Sequence, residues 1–259
     1  MNRGYARRPA GQIHFAEAGS GPVLLLLHQV PSWSREYEAL APALARHFRV
    51  IAMDHMGYGM SDPRSGIYEV ADFARDVNDF LKAIGVDRCH IFGQHTGATV
   101  AIEMAAAYPG RVDRLFLSGC PYYTREMREA RLKSGAFAPP VIMDDGSHLT
   151  KAWNTIKKYA PGATARMVND MVMGRMLAGE RGEEGHEAVM KYDIEPRLPL
   201  VKAPTMFFST QGDMFVASLP LLSSRVAGSR TLVEPGDGLV TLTNPSLLAK
   251  AMIDFLGRK

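Results

Sequence analysis

The stretch IFGQHTGATV, residues 91 to 100, holds the side chain in this sequence that is best placed to do chemistry. An apolar run ends at Gly93, a single histidine, His95, follows, and Gly97 opens a segment rich in small residues. Glycines on both sides of one polar residue are typical of a sharp turn from a strand into a helix, where neighbouring backbones approach closely. The apex side chain of such a turn is exposed, and an imidazole there can transfer protons near neutral pH. The helix N-terminus also points at this place, so the amide of Thr96 could hold a negatively charged oxygen.

The elements that would position His95 follow from an alternation of short apolar runs with longer helical patterns. Continuous apolar character predicts strands buried on both faces, as in a parallel sheet covered by helices. Six runs have this character: VLLLLH at 23–28, VIAMD at 50–54, CHIFG at 89–93, RLFLSG at 114–119, TMFFST at 205–210 and TLVE at 231–234. Apolar residues spaced by three and four predict helices at 37–48, 73–86, 98–110 and 245–257. The turn PAG at 9–11 predicts an antiparallel hairpin at the sheet edge.

The alternation stops between residues 121 and 195, a segment rich in Met, Arg and Glu that lacks a strong apolar run. We interpret it as a mostly helical cap inserted into a core domain formed by residues 1–120 and 196–259. Four methionines in this cap are spaced to lie mostly on one helical side: Met167, Met171, Met173 and Met176. They either pack as ordinary core, which we favour, or line an apolar pocket.

Composition excludes several classes of protein. The 259 residues are 46% hydrophobic and 22% charged, enough to bury a large core. A formal charge of +3, from 30 basic and 27 acidic residues spread along the chain, gives no reason to expect a nucleic-acid partner. Cys89 and Cys120 are the only cysteines, which favours reduced thiols and a cytoplasmic location. The longest aliphatic run is too short to span a bilayer, so we expect no membrane partner and no export.

Five segments, in order along the chain, resemble motifs of the α/β-hydrolase family. LLLLHQVPSW resembles the strand and turn of its HG-x-P motif, DHMGYGMSD its D-x-x-G-x-G-x-S-D loop, and FGQHTGA its G-x-S-x-G nucleophile elbow. FFSTQGDMFV resembles the strand and loop that carry the triad acid, and EPGDGLVTLTNP the loop that carries the triad histidine. The resemblance covers nearly the whole chain. It implies a mostly parallel, eight-stranded sheet flanked by helices, with a helical cap insertion.

The chain departs from the family pattern at two of the three triad positions. The resemblance places the acid at Asp213, but His95 stands at the nucleophile position and Leu239 at the histidine position. The glycine that usually follows His28 is replaced by Gln29. The backbone amides of Thr96 and Val30 are the oxyanion donors that the resemblance implies.

An imidazole reaches about 3 Å further than a serine hydroxyl, so His95 could lean into the space left by the missing histidine and approach Asp213. The carboxylate would fix the ring's tautomer and leave the other nitrogen facing a substrate. Such a pair suits elimination, retro-aldol or decarboxylation chemistry, or activation of water for a hydrolysis without an acyl-serine. We expect a small, fairly apolar carbonyl or ester substrate and no cofactor or metal. The alternative is a catalytically silent homologue that binds a small molecule or a partner protein.

Further residues are candidates for the pocket wall because they adjoin these motifs. His28 is most simply a buried structural histidine, and Gln29 could point into the pocket or away from it. Aromatic side chains at the domain junction could add walls. The remaining candidates are Gln94, Trp33, Tyr122, Tyr123 and Leu239.

Overall fold

The computed structural model describes residues 1–257. Its centre is a single sheet of eight strands: β1 (Asn2–Arg8), β2 (Gly11–Ala18), β3 (Val23–Leu27), β4 (Arg49–Met53), β5 (Cys89–Gln94), β6 (Val112–Ser118), β7 (Thr205–Gly212) and β8 (Arg230–Asp237). The strand order is β1-β2-β4-β3-β5-β6-β7-β8. The first hairpin is antiparallel and β2 pairs antiparallel with β4, whereas β3 to β8 are parallel. The predicted fold class is confirmed.

The continuous apolar runs form strands that are buried on both faces, as predicted. Leu25 and Leu27 of β3 belong to the core on one side of the sheet, whereas Leu24 and Leu26 belong to the core on the other side. Successive side chains of a strand point to opposite faces, so an apolar residue at every position requires helices on both sides. The inner strands therefore form a rigid platform, and their carboxyl ends meet at one edge.

Ten α-helices accompany the sheet within the described residues: α1 (Ala41–Leu44), α2 (Val70–Ala83), α3 (Thr96–Ala107), α4 (Arg125–Lys133), α5 (Ser147–Tyr159), α6 (Ala165–Leu177), α7 (Glu184–Lys191), α8 (Leu219–Arg225), α9 (Val240–Thr243) and α10 (Pro245–Leu256). The helix predicted at 37–48 is wrong. The structure has a 3₁₀ helix at Ser34–Tyr37 and then only the single turn of α1. Pro42 explains the break, because its ring clashes with the carbonyl four residues earlier and it lacks an amide donor.

Helices α4 to α7 lie between β6 and β7, and this segment, which the structure describes completely, contains no strand. Several polar contacts tie it to the rest of the protein, among them those of Tyr58 and Arg197. The hydroxyl of Tyr58 donates to the Gly182 carbonyl at 3.2 Å and accepts from the Gly185 amide at 3.0 Å. Arg197 donates from two nitrogens to Glu103 on α3, at 2.7 and 2.9 Å. The division into a core and a cap at residues 121 and 195 stays a prediction.

Within residues 1–257, none of the helices combines the length and the apolar character that crossing a bilayer requires.

Candidate active site

His95 sits at the apex of the turn between β5 and α3 and is the one non-glycine residue with positive φ in the described chain. Its φ of 46° and ψ of −111° are sparsely populated for any L-residue, which is strain held by the surrounding structure. The flanking glycines make the turn possible. A Cβ on Gly93 would lie 2.4 Å from the carbonyl oxygen of Gly97, and one on Gly97 would lie 2.0 Å from that of Leu27.

The structure brings the ring of His95 to Asp213. Nε2 of the ring donates to Oδ2 of the carboxylate at 2.9 Å. Asp213 is 4% exposed, and its other oxygen accepts from the Phe215 amide at 2.7 Å. The Phe215 ring packs edge-on against the imidazole, with the ring centres 5.4 Å apart. The carboxylate is thus fixed on the loop after β7, and it fixes the orientation of the ring.

Gly119, directly after β6, lies against the same pair. Its φ is +55°, and a Cβ there would lie 2.5 Å from the Asp213 carboxylate and 2.5 Å from Cδ2 of His95. The Gly119 amide donates to the Phe208 carbonyl at 3.0 Å, so the backbone cannot easily withdraw. We did not predict a role for Gly119, although it is the last residue of the run RLFLSG and its place at a strand end is a usable signal.

The second ring nitrogen of His95 is already hydrogen-bonded within the protein, whereas we expected it to be free to face a substrate. Nδ1 donates to Oε1 of Gln29 at 3.1 Å. Gln29 turns inward, since its Nε2 donates to Oε1 of Glu36 at 3.1 Å. This contact with Glu36 sets the direction of the Gln29 side chain, and Glu36 was not among the predicted site residues.

Glu36 lies in the 3₁₀ helix Ser34–Tyr37 and is 4% exposed. Its Oε1 also accepts from the hydroxyl of Thr241 on α9 at 3.0 Å. Burial raises the pKa of Glu36, and nearby hydroxyls and the charge of His95 offset this only in part. The Ser32 hydroxyl contributes to that offset although it lies outside hydrogen-bond geometry. The site therefore contains a second carboxyl group behind the first.

A cavity of about 1080 Å³ opens above the carboxyl ends of the strands, beneath helices α4 to α7. His95 and Gln29 lie in its wall, together with Val30 and Thr96, whose amides are the candidate oxyanion donors. Apolar side chains from the segment between β6 and β7 form much of the opposite wall: Phe137, Met171, Met176, Val189 and Met190. The volume suits a small organic molecule in mostly apolar surroundings.

Among the other predicted pocket residues, Tyr123 and Leu239 line this cavity. Four others do not: His28, Gln94, Trp33 and Tyr122. Leu239 is buried and packs against the apolar cluster under α6. Of the four methionines, Met171 and Met176 line the cavity, Met167 packs against the same cluster as Leu239, and Met173 is exposed.

The four residues outside the cavity have structural contacts instead. His28 is buried, donates from Nδ1 to the Gln29 carbonyl at 2.7 Å and accepts at Nε2 from the His55 amide, and burial lowers its pKa. Gln94 is buried and donates to the Gly238 carbonyl at 3.2 Å. Trp33 donates to the Asp170 carbonyl, and Tyr122 donates to Glu195 near the surface. Adjacency in sequence to a motif did not bring these side chains to the cavity.

In the part of the chain that the structure describes, no three His, Cys, Asp or Glu side chains cluster as metal ligands would. Cys89 and Cys120 are free and buried.

The sequence model of the α/β hydrolase fold family matches residues 22–238. Haloalkane dehalogenase 2 of Mycobacterium tuberculosis is 30% identical over 133 residues, which cover 51% of this chain and only 46% of that relative. The chain therefore spans about half the length of this relative.

A 2-(acetamidomethylene)succinate hydrolase of Mesorhizobium japonicum is 26% identical over 94% of this chain and 91% of its own length. The crystal structure of a hydrolase from Pseudomonas aeruginosa PA01 superimposes with a TM-score of 0.83 at 23% identity, covering 99% of each chain, which shows a shared fold. With the family match extending over most of its length, the chain belongs to the α/β hydrolase fold family.

Proposed function

We propose that this protein is an enzyme that uses the His95–Asp213 pair as an acid and base on a small, mostly apolar carbonyl or ester compound. The observation that carries the proposal is the 2.9 Å contact between Nε2 of His95 and the Asp213 carboxylate, at a turn whose apex faces the cavity. A carboxylate on one nitrogen orients the imidazole and stabilises the imidazolium that forms when the other nitrogen takes a proton.

Nδ1 is the nitrogen that acts on the substrate. In the structure Gln29 occupies it at 3.1 Å, and both residues line the cavity. A water molecule or substrate donor that takes the place of the Gln29 oxygen would lie within hydrogen-bond reach of Nδ1. In a hydrolysis, Nδ1 in its unprotonated form takes a proton from water as the water oxygen bonds to the substrate carbonyl carbon, and it returns the proton to the leaving group.

The negative charge that develops on the carbonyl oxygen would be held by the amides of Thr96 and Val30, beside the N-terminus of α3. No acyl-serine forms, since the apex carries His95. Hydrolases among the relatives, such as the acetamidomethylene succinate hydrolase, make hydrolysis the leading form of the proposal. The same pair supports a lyase reaction, in which Nδ1 takes its proton from the substrate itself.

A second candidate function, a small-molecule binder without catalysis, is favoured by one observation. Both ring nitrogens of His95 and both amide atoms of Gln29 already have hydrogen-bond partners within the protein. A saturated network can serve as a preorganised polar wall instead of a reaction centre.

Turnover of short-chain p-nitrophenyl esters and β-hydroxyketones, measured for the protein and for His95→Ala, separates these functions. We expect the protein to act on at least one compound, a serine-directed phosphonate to have no effect, and His95→Ala to lower kcat by about 10² to 10⁴. The matched control is His47→Ala, which removes an exposed imidazole between α1 and β4.

Wild-type rates in His95→Ala would rule out the acid–base role, and inhibition by the phosphonate would indicate a serine nucleophile. Compounds that raise Tm equally in the protein and in His95→Ala, without turnover in either, would support the binder.

A further inference from the structure

An unbroken hydrogen-bond chain runs from the loop after β7 to α9. It passes from Asp213 to His95, from His95 to Gln29, and from Gln29 to Glu36, at 2.9, 3.1 and 3.1 Å. At its far end, the hydroxyl of Thr241 donates to Glu36 at 3.0 Å. The centre of this hydrogen-bond chain is the primary amide of Gln29, which has a donor nitrogen and an acceptor oxygen. The two ends can exchange places by a rotation of half a turn.

This hydrogen-bond chain has two arrangements that contain the same number of protons. In the first, Glu36 is ionised, Gln29 donates to it, and the Gln29 oxygen accepts from a protonated Nδ1, so the His95 ring holds two protons. In the second, Glu36 is protonated and donates to the Gln29 oxygen, and the Gln29 nitrogen donates to a bare Nδ1. The proton that leaves Nδ1 equals the proton gained by Glu36, and Asp213 stays ionised in both.

Glu36 also borders a second pocket of about 270 Å³, and Gln29 is not among the residues that line this pocket. Ser32, Trp33 and Arg166 share this pocket wall. Oε2 of Glu36 is buried and has no hydrogen-bond partner among residues 1–257. A buried oxygen without a partner calls for a donor such as water. Glu36 can therefore exchange a proton with solvent by a route that does not cross the larger cavity.

The other titratable or charged groups near this hydrogen-bond chain have partners of their own or stay neutral. Asp54 accepts from the Ser34 amide at 2.6 Å beside the 3₁₀ helix; burial raises its pKa, but its contacts with His14 and His28 more than offset this. Arg35 at the pocket mouth pairs with Glu38 and Asp170. Tyr37 is buried, and desolvation raises its pKa, so it stays neutral. Cys120, near Asp213, is also neutral because burial raises its pKa. Glu36 and His95 are the pair whose protons the Gln29 amide couples.

We propose that Glu36 is a positioning residue that sets whether the His95 ring carries one proton or two, by fixing which end of the Gln29 amide faces it. This deepens the proposed function and rests on it for its kinetic consequence alone. An ionised Glu36 keeps the Gln29 oxygen towards Nδ1 and favours the imidazolium. A neutral side chain at position 36 that can donate to the Gln29 oxygen favours the bare Nδ1, which is the base.

The test is Glu36→Gln, followed by the ¹⁵N signals of the histidine side chains in uniformly labelled protein, with His95→Ala assigning the ring. We expect the pH at which Nδ1 loses its proton to fall by about one unit, a tenfold change in the ratio of the two ring forms, since the ionised neighbour is gone. The acid limb of the rate–pH profile should move by the same amount.

Glu38→Gln is the matched control, because it removes the same charge two residues away on an exposed side chain. We expect it to leave the His95 signals unchanged. If both variants shift the signals equally, the effect is general electrostatics and the inference is overturned. Unchanged signals in a folded Glu36→Gln protein overturn it too.

Thr241→Val keeps the inference testable if Glu36→Gln does not fold. Loss of the Thr241 hydroxyl disfavours the ionised Glu36, so the same shift should appear at about half the size, and no shift would overturn the inference. The ¹⁵N signals of the His95 ring can be recorded without a substrate. A shifted ring signal in a protein without turnover would therefore count against the proposed function only.

Discussion

Gly119→Ala should disable the His95–Asp213 pair although neither of these residues is changed. Position 119 has φ +55°, and the added Cβ would lie 2.5 Å from Oδ2 of Asp213 and 2.6 Å from Nε2 of His95. Carbon in ordinary contact sits about 3.5 Å away, so the ring and the carboxylate must move by about 1 Å. Their 2.9 Å hydrogen bond does not survive a separation of that size.

The loss in free energy of unfolding that we expect for Gly119→Ala has two parts. A left-handed backbone costs an L-residue about 1 to 2 kcal/mol. A lost buried hydrogen bond to a charged group adds about 1.5 to 3 kcal/mol. Gly85→Ala separates the two parts, because Gly85 has φ +69° and a Cβ there meets nothing within 4 Å. This control should show the backbone cost alone.

Thermal unfolding and steady-state kinetics of both variants check the reasoning. For a chain of this size each kcal/mol lowers Tm by about 2 to 4 °C, so Gly119→Ala should lose roughly two to three times as many degrees as Gly85→Ala. Its turnover should fall by about 10²-fold, as expected for a reacting group displaced by 1 Å, while Gly85→Ala keeps full activity. Equal loss of stability and full activity in Gly119→Ala would refute this account of the pair.

Three further predictions follow from the same contacts. Asp213→Asn should lower kcat by about 10³-fold with a small change in Tm, because a neutral amide does not stabilise the imidazolium; a rate within fivefold of the unchanged protein would show that the carboxylate is not used. Burial raises the pKa of Glu36 above its ordinary 4.5, and a carboxyl with a raised pKa stabilises the fold while protonated and loses that contribution as pH rises through the raised pKa. Glu36→Gln cannot ionise, so its Tm relative to the unchanged protein should increase as pH rises above 4.5, and a pH-independent difference would contradict this. His95→Ser combined with Leu239→His restores the family's order of side chains, so this double variant, unlike either single variant, should react covalently with a serine-directed phosphonate, as intact-protein mass spectrometry would show.

Much of the fold could be predicted because its signals are local. An uninterrupted apolar run such as VLLLL requires cover on both faces of the sheet, and the structure divides Leu24 and Leu25 between the two cores. The glycines around His95 mark a turn that other residues cannot adopt, and backbone contacts of 2.0 and 2.4 Å give the reason. The predicted helix at 37–48 failed where Pro42 interrupts a pattern that is otherwise helical.

The candidate site was predictable where it depends on strand ends and not where it depends on distant partners. The positions of His95 and Asp213 follow from the order of motifs along the chain. By contrast, Trp33 and Tyr122 adjoin motifs in sequence, yet their side chains turn to Asp170 and Glu195 outside the cavity. Glu36 lies in the charged stretch SREYE, a pattern that is typical of exposed side chains.

The sequence by itself determined the layers of the fold, the turn at His95 and the absence of a serine there, since each depends on residues near one another in the chain. Only the tertiary structure decided what surrounds the imidazole. Glu36 is buried and accepts hydrogen bonds from Thr241, 205 residues away, and from Gln29, whose oxygen in turn contacts the second ring nitrogen of His95. A hydrogen-bond partner so remote in sequence leaves no local pattern, because it is chosen by packing of the whole chain.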